Sequence, residues 1–369
     1  MTILVTGASG FIGRHLCAQL TAQGQDVLAV LRNPAQLTPL REHVARYHGA
    51  PDRVQAIQGD LDAPGLGLTS PLPPLQAIVH LGARFAWNMP ADLARTTNVE
   101  GARAVVKLAA EQHCRLVMIS GFMLENPTHL HRLGIDADKP DATDWARVYR
   151  RAGAYEASKL EGALRVRQDC QRQQVALIEV QPATVAGHSQ TGELDPAQPL
   201  YNLIENSAKG RLAQVPGTPA HGLPLVAVDT VAALISAACI APDAPARLLA
   251  LDDTTPNLQG LLGWVAVALG RKAPRRHIPL PLLAALLRIP GMPRLMNTAP
   301  EALSFIQPQR YDVRSTQDFA ARHGIPWPDM AQVVQASVAH YRHLCGLSES
   351  HRTATSHVAA GPAEVRRLS

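Results

Sequence analysis

The chain has 369 residues, of which 46% are hydrophobic but only 4% aromatic, so aliphatic side chains must fill its interior. So few aromatic residues exclude a platform that stacks nucleic-acid bases. A net charge of +5, with 18% of residues charged, argues against a polyanion-binding surface. The five cysteines are widely spaced, and we find neither a signal-peptide pattern nor a long apolar run, so we expect a cytoplasmic protein without an integral membrane segment.

Apolar strand-like segments alternate with amphipathic helical ones through the first half of the chain. The predicted strands are ILVTG, DVLAVL, RVQAIQGD, AIVHLGA, RLVMIS and VALIEVQP, and the intervening helices include 11–23, 34–46, 90–111 and 155–173. Such alternation is typical of a parallel sheet covered by helices on both faces. The pattern therefore predicts an α/β fold, a doubly wound Rossmann sheet with a smaller, mainly helical C-terminal substrate cap.

The alternation of strand-like and helical segments becomes irregular after Pro182, and this change sets the expected domain boundaries. We expect a dinucleotide-binding domain over 1–181, completed by 223–254 with a returning strand near 225. Residues 182–222 and 255–346 would form the substrate cap. The tail, 347–369, has no periodicity and is expected to be disordered.

A glycine-rich turn, TGASGFIG, follows the first predicted strand and opens the first helix. Glycines at this place let backbone N–H groups and the positive end of a helix dipole approach a pyrophosphate. The alternative is a tight strand-to-helix turn without a ligand. The surrounding βαβ unit favours a dinucleotide site, with contacts expected from Gly7, Ser9, Gly10, Phe11, Ile12 and Gly13.

The end of the second strand indicates which dinucleotide binds. NAD-specific sites place a carboxylate there, whereas this strand is followed by Arg32 and Asn33. A guanidinium group suits a 2′-phosphate, so we expect NADP, with NAD as the other possibility. A solvated surface arginine is the alternative interpretation.

The segment YEASK places Tyr155 and Lys159 four residues apart, on one face of a predicted helix. A tyrosine normally titrates near 10, so acid/base catalysis near neutral pH requires its pKa to fall by about 2–3, a shift that a nearby ammonium group and an oxidised nicotinamide can supply. An ordinary exposed helix pair is the alternative interpretation.

Together these motifs resemble the extended short-chain dehydrogenase/reductase family over residues 1–235. The resemblance rests on TGASGFIG, GDL (59–61), HLGA (80–83), NVEGARAVVKLA (98–109), YEASK and QPATVAG (181–187). It implies that Tyr155 is the catalytic acid/base, that Lys159 holds the nicotinamide ribose and lowers the tyrosine pKa, and that Asn98 organises the site. The remaining cofactor contacts that it implies are Asp60, Leu61, Leu81, Gly82, Ala83, Pro182, Thr184 and Val185. It also implies a homodimer through helices 98–111 and 155–173.

The sequence departs from this family after the fifth strand, where MISGFML replaces the usual pair of hydroxyl residues. Gly121 occupies the position of the catalytic hydroxyl, so Ser120 is the candidate that remains, unless the hydroxyl is missing. Phe122 and Met123 stand where dehydratases carry an Asp-Glu pair, which argues against dehydration. The stretch GHSQTGELD (187–195) is similar to that of acyl-thioester and fatty-acyl reductases, and the whole chain is closer to the ketone/acyl reductase or hydroxysteroid dehydrogenase-like branch.

Apolar residues follow the fourth and fifth strands, where a substrate would bind. Phe85, Trp87, Phe122 and Met123 are expected to line an apolar cleft, although core packing or a subunit interface explains such residues equally well. No metal is expected, because His129/His131 and His340/His343 lack a third ligand nearby in the sequence.

We therefore expect an enzyme, an NADP(H)-dependent oxidoreductase that transfers hydride between nicotinamide and a carbonyl or secondary alcohol of a largely apolar small molecule, such as a ketone, hydroxy-acyl or steroid-like compound. One alternative is a nucleotide-sugar epimerase with tightly bound NAD. Another is a non-catalytic dinucleotide-binding sensor or scaffold.

Overall fold

The computed structural model describes residues 1–86 and 89–346. The strands are β1 Thr2–Thr6, β2 Asp26–Leu31, β3 Val54–Gln58, β4 Leu75–His80, β5 Arg115–Ile119, β6 Leu177–Pro182, β7 Thr184–Ala186, β8 Val215–Pro216, β9 Leu225–Ala227, β10 Arg247–Ala250 and β11 His277–Ile278. The helices are α1 Phe11–Ala22, α2 Leu37–Arg46, α3 Ala91–Arg95, α4 Gly101–Glu111, α5 Pro127–Leu133, α6 Trp145–Ala152, α7 Ala154–Gln173, α8 Pro199–Ala208, α9 Val228–Ile240, α10 Leu258–Ala268, α11 Leu280–Leu286, α12 Met292–Leu295, α13 Arg314–Arg322 and α14 Met330–Leu344.

Seven parallel strands form the main sheet, in the order β10-β6-β5-β4-β1-β2-β3. Successive residues of each strand point to opposite faces, and both faces are buried. Along β1, Ile3 and Val5 pack with α1 and α9, whereas Leu4 packs with α4 and α7. The order reverses between β1 and β4, and this is where ligands bind in open α/β sheets. The predicted fold class is therefore confirmed.

The seventh strand of the sheet differs from the predicted one. The strand near 225, β9, pairs instead with β7 in a separate two-stranded sheet. The edge position beside β6 is taken by β10. Both segments are short and apolar, so their local sequence cannot tell which of them reaches the sheet edge; only the path of α9 between them decides it.

The predicted helix over 90–111 contains an irregularity beside the sheet. A π-helical segment, Thr96–Glu100, joins α3 to α4. Such segments often mark functional positions, and this one carries Asn98. The cap is built mainly from α8 and α10–α14, and α14 packs against α10 and α8. The expected disordered tail, 347–369, lies outside the described residues.

Candidate active site

A cleft of about 350 Å³ opens at the carboxyl ends of the strands, between the sheet and the cap. It brings together most of the residues singled out from the sequence. These are Gly7, Gly10, Phe11, Ile12, Gly13, Leu81, Ala83, Phe85, Ser120, Phe122, Met123, Tyr155, Lys159, Pro182, Thr184 and Val185. They come from the segments that follow β1, β4 and β5, from the start of α7, and from β6 and β7, so the fold assembles one site from separate motifs.

The glycine turn forms one end of the cleft and is packed too closely for side chains. Gly7 has φ +72°, and a Cβ there would lie 2.7 Å from the amide nitrogen of Gly82. A Cβ on Gly13 would lie 2.1 Å from the carbonyl oxygen of Gly7. Gly10 caps α1 without a side chain, so the first N–H groups of that helix face the cleft. Backbone donors and a helix N-terminus at this place form an anion-binding cradle.

This end of the cleft fits a dinucleotide. The cradle matches a pyrophosphate, and the hydroxyl oxygen of Thr184, further along the cleft, is buried without a hydrogen-bond partner among the described residues. A buried hydroxyl in this condition is costly unless a ligand satisfies it. Arg32 is exposed directly after β2, and the sequence RNPAQ that follows the strand carries no carboxylate. These features suit an NAD(P)-type cofactor.

Tyr155 and Lys159 lie on the first turns of α7 and both line the cleft. The Phe85 ring packs edge-on against Tyr155, with ring centroids 4.5 Å apart. Lys159 Nζ donates a hydrogen bond to the Ile119 carbonyl oxygen at 3.2 Å. The adjacent ends of α7 and β5 therefore fix the ammonium group beside the sheet.

Burial perturbs the pKa values of both Tyr155 and Lys159. Together with the negative charge of Glu156, it raises the pKa of Tyr155 to about 12. Burial also lowers the pKa of Lys159 to about 8. The sequence-based expectation of a lowered tyrosine pKa requires an oxidised nicotinamide as well as an ammonium group, whereas removal of the phenolate from water dominates in the protein alone. Tyr155 is consequently protonated at neutral pH.

Ser120, the remaining candidate for the catalytic hydroxyl, lines the cleft and forms a buried hydrogen bond. Its hydroxyl donates to Glu179 Oε2 at 2.9 Å, and both residues are buried. Glu179 is also paired with Arg167 of α7. At Gly121 the backbone is extended, and a Cβ would meet no described heavy atom within 4 Å. The position that carries a hydroxyl in the resembled family is therefore open space here.

Asn98 binds the backbone around the site and does not line the cleft. Its amide oxygen accepts a hydrogen bond from the Arg84 amide at 2.7 Å, and its amide nitrogen donates to the Ser158 hydroxyl at 2.9 Å. It thereby ties the segment after β4 to α7. This arrangement agrees with an organising role, because Ser158 lies between Tyr155 and Lys159 in the chain.

Several other predicted contacts also lie off the cleft wall. Ser9 is exposed and donates to Gln36 at 3.2 Å, and Asp60 accepts from the Asp62 amide at 3.1 Å. Arg32, Leu61 and Gly82 do not line the cleft either. Trp87 lies outside the described residues. Of the predicted substrate contacts, Phe122 and Met123 are buried almost completely, so they belong to the core as well as to the cleft wall.

Sequence reasoning missed a chain of polar residues beside Tyr155, in which His129 and Glu156 are buried. Arg132 donates to His129 Nδ1 at 2.7 Å, which leaves the proton on Nε2 for the 2.6 Å hydrogen bond to Glu156 Oε1. Glu156 lines the cleft, and its other carboxylate oxygen is buried without a partner among the described residues. In the sequence, the position of Glu156 inside YEASK is the feature that could have indicated this chain of polar residues. Phe305 lines the cleft from the side of the cap, and it lies in no sequence motif that could have predicted this position.

Comparison with known proteins agrees with this geometry. The family model described as male sterility protein, an NAD-binding family, matches residues 5–235. A polyketide synthase-nonribosomal peptide synthetase, ACE1 of Pyricularia oryzae, is 27% identical over 252 residues, 65% of this chain and 6% of that protein. Aldehyde reductase lnaA of Aspergillus flavus is 28% identical over 253 residues, 63% of this chain and 24% of that protein. This chain thus spans less than a quarter of either relative.

A solved structure has the same fold over nearly the whole chain. The terminal R domain of the myxalamid PKS-NRPS biosynthetic pathway superimposes with a TM-score of 0.72 at 20% identity, over 94% of this chain and 92% of that domain. Among the described helices, none has the length and hydropathy needed to cross a bilayer.

Proposed function

Because this chain belongs to the male sterility protein family, an NAD(P)-binding branch of the extended short-chain dehydrogenases/reductases, we propose that it is an NADPH-dependent reductase of a largely apolar carbonyl compound. The observation that carries the proposal is the single cleft, in which a glycine cradle, a Tyr-Lys pair and an apolar wall follow one another. The carbonyl would belong to an aldehyde, a ketone or an acyl thioester.

In the reductive direction the carbonyl carbon accepts a hydride and the carbonyl oxygen accepts a proton. Bound NADPH supplies the hydride from its nicotinamide ring. The Tyr155 hydroxyl donates the proton, which it carries at neutral pH because its pKa lies well above 7. Lys159, charged below a pH of about 8, stabilises the phenolate that forms when the proton has left.

Tyr155, and not Ser120, is assigned as the hydrogen-bond donor to the carbonyl oxygen. The Ser120 hydroxyl is already committed to the buried Glu179 carboxylate, and moving it would leave that charge with fewer donors. The space above Gly121 gives the substrate extra room on the same side of the site. This room suits a carbonyl carrying a bulky substituent.

The substrate preference is inferred from the walls beyond the nicotinamide end. Phe85, Phe122 and Phe305 line the cleft, and a second, mainly apolar cavity of about 550 Å³ lies between α8, α11 and α12. Both cavities share Pro199 and Phe305, so they adjoin at these two residues. The three phenylalanine rings and the aliphatic cap residues favour a lipophilic substituent at this place.

The test is NADPH oxidation, followed by absorbance, with a panel of aliphatic and aromatic aldehydes, ketones and acyl thioesters. Tyr155→Phe should lower kcat by a factor on the order of 10² or more with little change in melting temperature. Tyr201→Phe is the matched control, because Tyr201 packs against Tyr341 away from the cleft and should retain wild-type turnover. Wild-type turnover by Tyr155→Phe, or failure of the whole panel while a UDP-sugar is epimerised, would contradict the proposal.

A further inference from the structure

A second polar cluster lies outside the residues that line the cleft, where α1, α2 and the loop 187–195 meet. His15 of α1 and His43 of α2 face Glu193 of that loop. One ligand atom from each residue lies within 4.8 Å of the other two. His15 Nε2 is 4.0 Å from Glu193 Oε2, and His43 Nδ1 is 3.8 Å from Glu193 Oε1.

Both imidazoles are buried and incompletely satisfied. His15 is 4% exposed and His43 is 6% exposed. The Nε2 atom of each is buried and has no hydrogen-bond partner among the described residues. Native proteins rarely leave such atoms unpaired, so each one requires an explanation.

Two imidazoles and one carboxylate form a donor set that suits a first-row divalent ion such as Zn²⁺. Tetrahedral coordination with bonds near 2.0–2.1 Å separates the ligand atoms by about 3.3 Å. The three ligand atoms lie within 4.8 Å of one another, so they must approach by up to about 1.5 Å for an ion to bind.

Neighbouring groups already orient the carboxylate. Arg14 donates to Glu193 Oε1 at 2.8 Å, and the Tyr47 hydroxyl donates to Oε2. Hydrogen bonds of this kind fix ligating carboxylates in metal sites. The positive charge of Arg14 also repels a cation, so a site here would bind with moderate affinity. His188 contributes an aromatic ring 5.4 Å from that of His15.

We propose that His15, His43 and Glu193 bind one divalent transition-metal ion of the zinc type, with water in the remaining position. The ion would fasten the 187–195 loop to the two helices that follow β1 and β2. That loop is also held from its other side, where Gly192 packs directly on the backbone of Ala336 in α14. The site is structural, because its ligands do not line the catalytic cleft.

The experiment uses the full chain without a histidine tag, stripped with a chelator and titrated calorimetrically with ZnCl₂, with MgCl₂ in parallel. One Zn²⁺ should bind per chain and raise the melting temperature, and Mg²⁺ should do neither. His15→Gln and His43→Gln should each weaken Zn²⁺ binding by a factor on the order of 10 or more. His131→Gln is the control, since His131 is exposed on α5 and should bind as wild type.

Absence of saturable binding, or equal binding by wild type and both variants, would overturn the proposal and leave a cluster of packed rings. X-ray absorption at the zinc edge on the loaded wild type covers the case in which a variant fails to fold. Scattering from two imidazoles and a small number of oxygen ligands would support the site. A shell of oxygen ligands alone would refute it.

Discussion

We predict that the buried ammonium group of Lys159 lowers the free energy of unfolding of the protein. Its pKa falls from 10.5 to about 8 because the ammonium group is buried. That difference corresponds to a cost of about 3 kcal/mol in the free energy of unfolding whenever the group is charged in both states. Replacement by the uncharged methionine, Lys159→Met, removes this cost together with the hydrogen bond to the Ile119 carbonyl, which is worth about 1 kcal/mol. The variant should therefore gain about 2 kcal/mol at pH 7.

The stability difference between Lys159→Met and the wild type should change with pH in a direction that the two pKa values of Lys159 fix. The folded pKa lies below the unfolded one, so the cost is complete below a pH of about 8 and disappears as the pH rises towards 10.5. The advantage of Lys159→Met over wild type should accordingly shrink steadily between pH 7 and 9.5. Other titrating groups are common to both proteins and cancel in the difference.

Urea unfolding at pH 7, 8.5 and 9.5, with NADPH oxidation measured alongside, tests this expectation. Lys107→Met is the control: this lysine is 74% exposed, so its replacement should change the stability by less than about 0.5 kcal/mol at every pH. The variant Lys159→Met should gain stability and lose turnover. A variant less stable than wild type at pH 7, or a difference that does not change with pH, would refute the reasoning.

Three further substitutions test the remaining parts of the site. Arg32→Asp should weaken NADPH binding by a much larger factor than NADH binding, because a carboxylate repels the 2′-phosphate. Cofactor fluorescence measures both affinities, and equal affinity of the wild type for both cofactors would rule out the arginine's role. Gly13→Ala should lower both the melting temperature and the NADPH affinity, since its Cβ would lie 2.1 Å from the Gly7 carbonyl oxygen. Gly263→Ala is the control, because its Cβ would meet open space and should leave both properties nearly unchanged. Ser120→Ala should lower kcat by less than about tenfold, and a loss as large as that of Tyr155→Phe would show that Ser120 does act on the substrate.

Features that depend on local backbone geometry and on periodicity could be predicted from the sequence. The glycine turn is readable because only residues without Cβ fit where Gly13 approaches the Gly7 carbonyl. The Tyr155-Lys159 pair is readable because residues four apart share a helix face. Strands buried on both faces are continuously apolar, so the parallel sheet was also predictable.

Features that depend on contacts between distant segments become visible in the folded chain. Ser120 is committed to Glu179, 59 residues away, and the pKa of Tyr155 rises because the assembled cleft removes its hydroxyl from water. The choice of β10 over β9 as the seventh strand follows from chain path and not from composition. His15, His43 and Glu193 converge from three elements up to 178 positions apart in the chain, so no spacing rule could have joined them. Burial and long-range pairing set the free energy of these groups, and both properties belong to the folded chain and not to any one segment of it.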